Sequence, residues 1–178
     1  MSLSKFFESC DIKFDTKQID YIPDFLINIK RNKCFIIDEL PLATSKENGY
    51  KFDQIEKSIY SHFYDKFSNV IKKIWLYDDL FFYSELLSKL NMIRCVPFWK
   101  FCTYKRLLES DKLVNYKDIQ FLNCLSRKNV IDLEYYCINL QIYLTPTYNG
   151  TFVYINNHKS YYLFNKILRT EGLILRKI

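Results

Sequence analysis

Between Asp53 and Asn91 the apolar residues Ile59, Phe63, Phe67, Val70, Ile71 and Ile74 recur at steps of three and four. This is the longest stretch of the chain with one clear period, and a period near 3.6 calls for a helix with one face in a core. Asp53 stands where an N-cap belongs, with Glu56 three positions on as in a capping box. After Trp75 the stripe slips. Asp78 or Asp79 then offers a cap to a second helix, with Leu80, Phe81, Leu86, Leu87 and Leu90 on its apolar positions. The stretch predicts two consecutive helices, or one helix broken near Tyr77.

The flanks add shorter elements. Residues 2–10 predict a first helix with Leu3, Phe6 and Phe7 inward, followed by an irregular segment from Asp11 to Tyr21. Pro23 suits the first residue of a helix, where its missing N–H is unpaired anyway, and Asp24 suits the positive end of the helix dipole. Phe25, Leu26 and Ile29 give that helix an apolar face. Cys34 to Ile37 reads as a short buried strand. Pro41 to Gly49 is polar and reads as a loop. Pro97 ends any helix before it. Trp99 to Leu108 is amphipathic, with Phe101, Tyr104, Leu107 and Leu108 against Lys100, Lys105 and Arg106. Asn115 offers a cap to a helix over Tyr116 to Arg127, with Ile119, Phe121, Leu122 and Leu125 apolar.

In the last third the period changes to two. Tyr136, Ile138, Leu140, Ile142 and Leu144 alternate with Cys137, Asn139, Gln141 and Tyr143, the pattern of one half-buried strand. Pro146 is expected to end its ladder. Asn149-Gly150 is a strong hairpin signal, because both residues tolerate positive φ, and Thr151 to Ile155 supplies the returning strand. Ser160 offers a cap to a helix carrying Leu163, Phe164, Ile167 and Leu168 and ended by Gly172. A strand from Lys159 to Leu163 is the competing reading, and Leu173 to Leu175 suits a final strand. These elements predict an α+β fold, a mainly helical body followed by a small antiparallel β-sheet near the C-terminus, with residues 1–178 in one domain.

Composition narrows the class. Nearly half the residues are apolar, so the chain can bury a core without disulfide staples. No apolar run reaches the roughly 18 residues that span a bilayer. The segment Met1 to Glu8 lacks a long apolar run, so no secretory signal is expected. The six cysteines, Cys10, Cys34, Cys95, Cys102, Cys124 and Cys137, are then expected as free thiols in a cytoplasmic protein. Gly and Ala are scarce while Lys, Asn, Ile, Phe and Tyr abound, the mark of an A- and T-rich gene of the kind phages, viruses and acquired bacterial loci carry. The net charge of +6 is uneven. Residues 1–90 carry 13 basic and 14 acidic side chains and residues 91–178 carry 13 and 6, so only the second half has a basic excess to offer an acidic partner.

Catalytic patterns are not visible. The chain lacks Cys-x-x-Cys and His-x-x-x-His pairs, so no metal or other cofactor is expected. A cysteine nucleophile would need His62 or His158 as its base, and neither lies in a recognisable signature. With 3 glycines there is no nucleophile elbow and no phosphate-cradling loop. The acidic pair Asp38-Glu39 follows a short apolar strand but lacks the Glu-x-Lys of a nuclease site on a second strand, Asp78-Asp79 suit a helix N-terminus, and Asp132 and Glu134 read as a solvated strand start.

The reading that leaves no motif is a non-enzymatic, cytoplasmic protein-binding protein. Its most concrete form is an immunity protein that neutralises a toxin encoded by a neighbouring gene, such as a nuclease. Such an inhibitor needs only a complementary surface with a few aromatic or Arg anchors. Asp78, Asp79, Asp20 and Asp24 are the acidic residues expected to face a basic partner. The alternative is a nucleic-acid-binding protein using Lys100, Lys105, Arg106, Arg127 and Lys128, with aromatic residues interleaved for stacking. An enzyme of nuclease type, its residues converging only in the fold, is the third reading. No membrane partner is expected.

Overall fold

The computed structural model describes residues 2–15, 19, 21–39, 63–89, 100–127, 131–147 and 150–178. A six-stranded, fully antiparallel sheet runs through the middle of the protein. Its strands are β1 (Cys34–Glu39), β2 (Leu80–Tyr83), β3 (Glu134–Cys137), β4 (Ile142–Thr147), β5 (Gly150–Ile155) and β6 (Leu173–Lys177). They lie in the order β2-β3-β4-β5-β1-β6. Helices α1 (Ser2–Ser9) and α2 (Ile22–Lys30) cover one face. On the other lie α3 over residues 63–75, α4 (Phe101–Glu109), α5 (Tyr116–Arg127) and α6 (His158–Thr170). The mixed α+β class holds, but the sheet is neither small nor C-terminal. Two of its strands come from the first half of the sequence, and β1 inserts between β5 and β6.

The central stripe behaves as its period requires. Phe67, Val70, Ile71 and Ile74 are fully buried on α3, and Phe63 packs at the margin. Burial of each is worth about 1.5–3 kcal/mol. Ile59, Asp53 and Leu90 lie outside the described residues, as do the Pro41–Gly49 segment and Pro97.

The expected second helix is not formed. After a turn at 76–79, Leu80 to Tyr83 form the strand β2, and only Leu87–Lys89 make a short 3₁₀ turn. Leu80 and Phe82 point to the helical layer while Phe81 stacks on Tyr136 at 5.7 Å on the other face. Three aromatic residues in four favour the pleated surface over a helix. The outer edge of β2 is closed by a neighbouring segment: Phe82 N donates to Asp111 O and Leu113 N to Leu80 O, both at 2.9 Å.

The expected strand from Tyr136 to Leu144 is two strands. β3 ends at Cys137, residues 138–141 turn, and β4 begins at Ile142. Gln141 takes positive φ (52°) to close that turn, which no glycine announces. The β4–β5 hairpin forms, but Gly150 is the first residue of β5, paired with Thr147, and not a turn residue; Asn149 lies outside the described residues. Pro146 stays in the ladder opposite Thr151, level with the residue before β3 begins, where one side of β4 has no neighbouring strand. α6 forms in place of the alternative strand. Its cap is Asn157, whose side chain accepts from Lys159 N at 2.9 Å, and not Ser160. α1, α2, α5 and the last strand form where the sequence places them. On α4, Tyr104 and Leu107 are buried, whereas Phe101 and Leu108 are 42% and 45% exposed.

Candidate functional site

Two of the four acidic residues expected to face a partner are engaged within the chain. Asp78 pins two turns together: Oδ1 accepts from Asp79 N and Asn139 Nδ2, both at 2.8 Å, and Oδ2 from Leu140 N at 2.9 Å. Asp79 pairs with Lys112 Nζ at 2.5 Å. Asp24 is exposed in the first turn of α2, and Asp20 lies outside the described residues.

Among the basic residues, Arg106 is turned inward. Its guanidinium forks onto both oxygens of the fully buried Asp118. Asp118 also accepts from Val114 N and Asn115 N, both at 3.2 Å, while its own N–H donates to Asn115 Oδ1 at 3.1 Å. The reciprocal Asn115–Asp118 bonds form a capping box for α5, and Arg106 neutralises the carboxylate it buries. Lys105 is exposed and Lys100 half-buried at the start of α4. Arg127 lies over the Tyr64 ring, 5.9 Å from its centroid, and Lys72 over Tyr116 at 4.5 Å. These two pairs flank a groove of about 420 Å³ between α3 and α5. Lys128 lies outside the described residues.

A different cleft carries the less ordinary chemistry. Tyr83 and Glu134 are cross-strand partners in β2 and β3, and one position further across stands Thr145 of β4. This row is the floor of an open cleft of about 250 Å³ at the end of the sheet face that α1 and α2 cover. Leu3, Phe14, Ile19 and Ile22 wall it on the helical side. Tyr21 and Tyr83, 47% and 39% exposed, stand at its rim. Glu85, Asp132 and Glu134 make it acidic, and among the described lining residues there is no Lys or Arg.

Two of the three carboxylates are committed. Asp132 holds the 84–87 turn, accepting from Ser84 Oγ at 2.9 Å, Leu86 N at 3.0 Å and Glu85 N at 3.3 Å. Glu85 pairs with Lys89. Glu134 is not committed. Its Oε2 is buried with no hydrogen-bond partner among the described residues. The fully buried Tyr143 hydroxyl stands beside Glu134 and Thr145 without a well-formed bond to either. Burial pushes the Glu134 carboxyl up from 4.5 to about 7; the Asp132 charge adds to the rise, and the Tyr143 hydroxyl opposes it. An unsatisfied buried polar atom costs about 1–3 kcal/mol, so such an atom on Glu134, a residue that lines the cleft, marks a place where a ligand group recovers stability.

The sequence gives Glu134 a solvated place at the start of a strand. It has a more telling address: two residues before the fully buried Tyr136 on the same sheet face, it sits at the rim of a core. Asp132 is not on that strand at all. Elsewhere the chemistry is quieter. Burial pushes the Cys10 and Cys34 thiols up to about 11, which makes them poor nucleophiles. Cys10, Cys34, Cys102, Cys124 and Cys137 are free, and among the described residues no three His, Cys, Asp or Glu side chains converge as metal ligands. No described helix is long and apolar enough to cross a membrane. His62 and Cys95 lie outside the described residues, and His158 packs edge-on against Tyr162 at 4.7 Å. No protein-family model matches this chain, and comparison with curated proteins and with solved structures finds no similar one.

Proposed function

We propose that this chain is a protein-binding module that neutralises a basic partner, most concretely an immunity protein for a toxin encoded beside it. The observation that supports this reading is the rim of the Glu134 cleft: two exposed tyrosines around three carboxylates, on a chain whose net charge is +6. Tyrosine supplies amphipathic contact area at low entropic cost, and interface anchors are enriched in it. A local acidic field on a basic protein favours one orientation of approach, toward a basic surface such as the substrate cleft of a nuclease toxin. The acidic contact then falls on Glu134, Asp132 and Glu85, with Asp24 nearby in sequence to Tyr21, while Asp78 and Asp79 serve the fold.

The test is a titration of the purified chain against the product of each neighbouring open reading frame. The reading expects one neighbour to bind 1:1, with an association rate that falls as salt rises. If no neighbour binds, the reading is wrong.

A second reading is favoured by a specific feature. The α3–α5 groove pairs a cation with an aromatic ring at Lys72–Tyr116 and at Arg127–Tyr64, the ingredients of a surface that tracks a single-stranded nucleic acid. It uses Arg127 of the expected basic set, with Lys100 and Lys105 available on and beside α4.

A further inference from the structure

The geometry points to a binding site for one guanidinium group in the cleft over Glu134, held by that carboxylate between the rings of Tyr21 and Tyr83. Its biological source rests on the protein-binding reading, as an arginine side chain of the partner, but the site is testable without any partner.

Three features carry it. The first is demand for donors. Glu134 Oε2 is buried with no well-formed hydrogen bond among the described residues, and the neighbouring Tyr143 hydroxyl is its one nearby donor, placed off bonding geometry. Asp132 and Glu85 are already served by the 84–87 turn and by Lys89, so the unmet demand is local to Glu134. The second is shape and surface. The cleft is open, about 250 Å³, with apolar walls from Leu3, Phe14 and Ile19 and tyrosines at its rim. Apolar walls accept the aliphatic stem of an arginine while its head reaches the carboxylate. The third is the choice of cation. The carboxylates do not converge as a metal site among the described residues. A guanidinium is planar, weakly hydrated, rich in donors and stacks on aromatic faces, so it suits a half-buried carboxylate framed by rings better than a compact, strongly hydrated ammonium.

The carboxyl must be ionised to hold the cation. The titratable groups facing it are Asp132 on its own segment, Tyr83 and Glu85 from the β2 side, Tyr143 from β4 and Tyr21 from the start of α2. Burial and the Asp132 charge hold the proton on, so occupation by a cation releases it, and binding strengthens as pH rises toward neutrality.

The test is an NMR titration of the full chain with methylguanidinium at pH 8, beside methylammonium and neutral methylurea. The inference expects saturable shifts confined to residues around Tyr21, Tyr83 and Glu134, with methylguanidinium binding most tightly. Glu134→Gln should weaken it at least about tenfold, the scale of one lost charge-assisted hydrogen bond. Tyr83→Leu, at an exposed position, should weaken it several-fold. Methylurea binding as tightly, shifts that map elsewhere, or an unchanged affinity in both variants would overturn the site. A chain that binds a neighbouring gene product yet fails this titration loses only the arginine site, whereas one that passes it and binds no neighbour loses the immunity reading alone.

Discussion

Tyr83 and Glu134 face each other across β2 and β3, so a carboxyl that titrates near neutrality sits directly beside an exposed tyrosine. The pairing follows from β2 being a strand. Had Leu80 to Leu90 formed a helix, the edge that carries Tyr83 to Glu134 would not exist.

The raised Glu134 carboxyl gives a pH dependence of known sign. In the folded chain it holds its proton more tightly than in the unfolded chain. Its stabilising share is therefore full below about pH 4.5 and is lost as pH climbs to about 7. Glu134→Gln keeps the neutral shape and removes the titration. The difference in unfolding free energy, variant minus wild type, should rise across that window by up to about 3 kcal/mol and then level off. Urea unfolding at pH 5, 6, 7 and 8 measures it. A flat difference contradicts the buried, uncompensated carboxyl.

Gly150 opens β5 at φ 124°, and a Cβ built there would lie 3.0 Å from Ile37 O and 3.2 Å from Ile36 Cγ2. Gly150→Val combines backbone strain with a collision against β1. It should cost about 2 kcal/mol or more, a fall in Tm of about 4–8 °C for a chain this size. Calorimetry that finds an unchanged Tm would contradict the close approach of β1 and β5.

Arg106 and Asp118 should behave as one unit. Asp118→Ala strands the guanidinium and opens the α5 cap, a loss of about 3–5 kcal/mol. Lys105→Ala, one residue away and exposed, should change stability by less than about 0.5 kcal/mol. A double-mutant cycle on Arg106 and Asp118 should return a favourable coupling; additive losses would contradict the pair.

The nucleic-acid reading has its own outcome. If the α3–α5 groove tracks phosphates, single-stranded RNA or DNA binds with a salt dependence. The double variant Lys72→Glu, Arg127→Glu should then weaken binding to every sequence tested and lower the salt slope by about 0.7 per lost contact. Binding that survives the variant moves the contact elsewhere. Arg106 has no place in such a test, because reversing it breaks the Asp118 pair.

How much of this was legible in the sequence follows from what surrounds each element. The α3 stripe, α1, α5 with its Asn115 cap and the β5 strand declare themselves through local spacing. β2 did not, because leucine and phenylalanine runs serve helices and strands alike and only pairing with β3 decides between them. The alternation from Tyr136 to Leu144 misled for a related reason. Antiparallel sheets usually leave one face wet, but helices cover both faces here, so Tyr143 and Ile142 are equally buried and the pattern hides a turn. The cleft was the least legible. Nothing in the residues next to Glu134 says that Tyr83 and Thr145 flank it, or that Asp132 is spent on a turn. Likewise Asp78, Asp79 and Arg106 look free in the sequence, and only the fold reveals their partners.

We propose a meeting of this chain with a toxic basic partner at the tyrosine-rimmed acidic cleft. It is tested most directly by growth. Each neighbouring open reading frame is induced alone, with the wild-type chain, and with the double variant Tyr21→Lys, Tyr83→Lys, which reverses the character of the rim at exposed positions. One neighbour is expected to arrest growth, the wild-type chain to restore it, and the double variant, equally abundant and folded, to fail. If the wild-type chain rescues no neighbour, or if the double variant rescues as well as wild type, the cleft is not the toxin-binding surface.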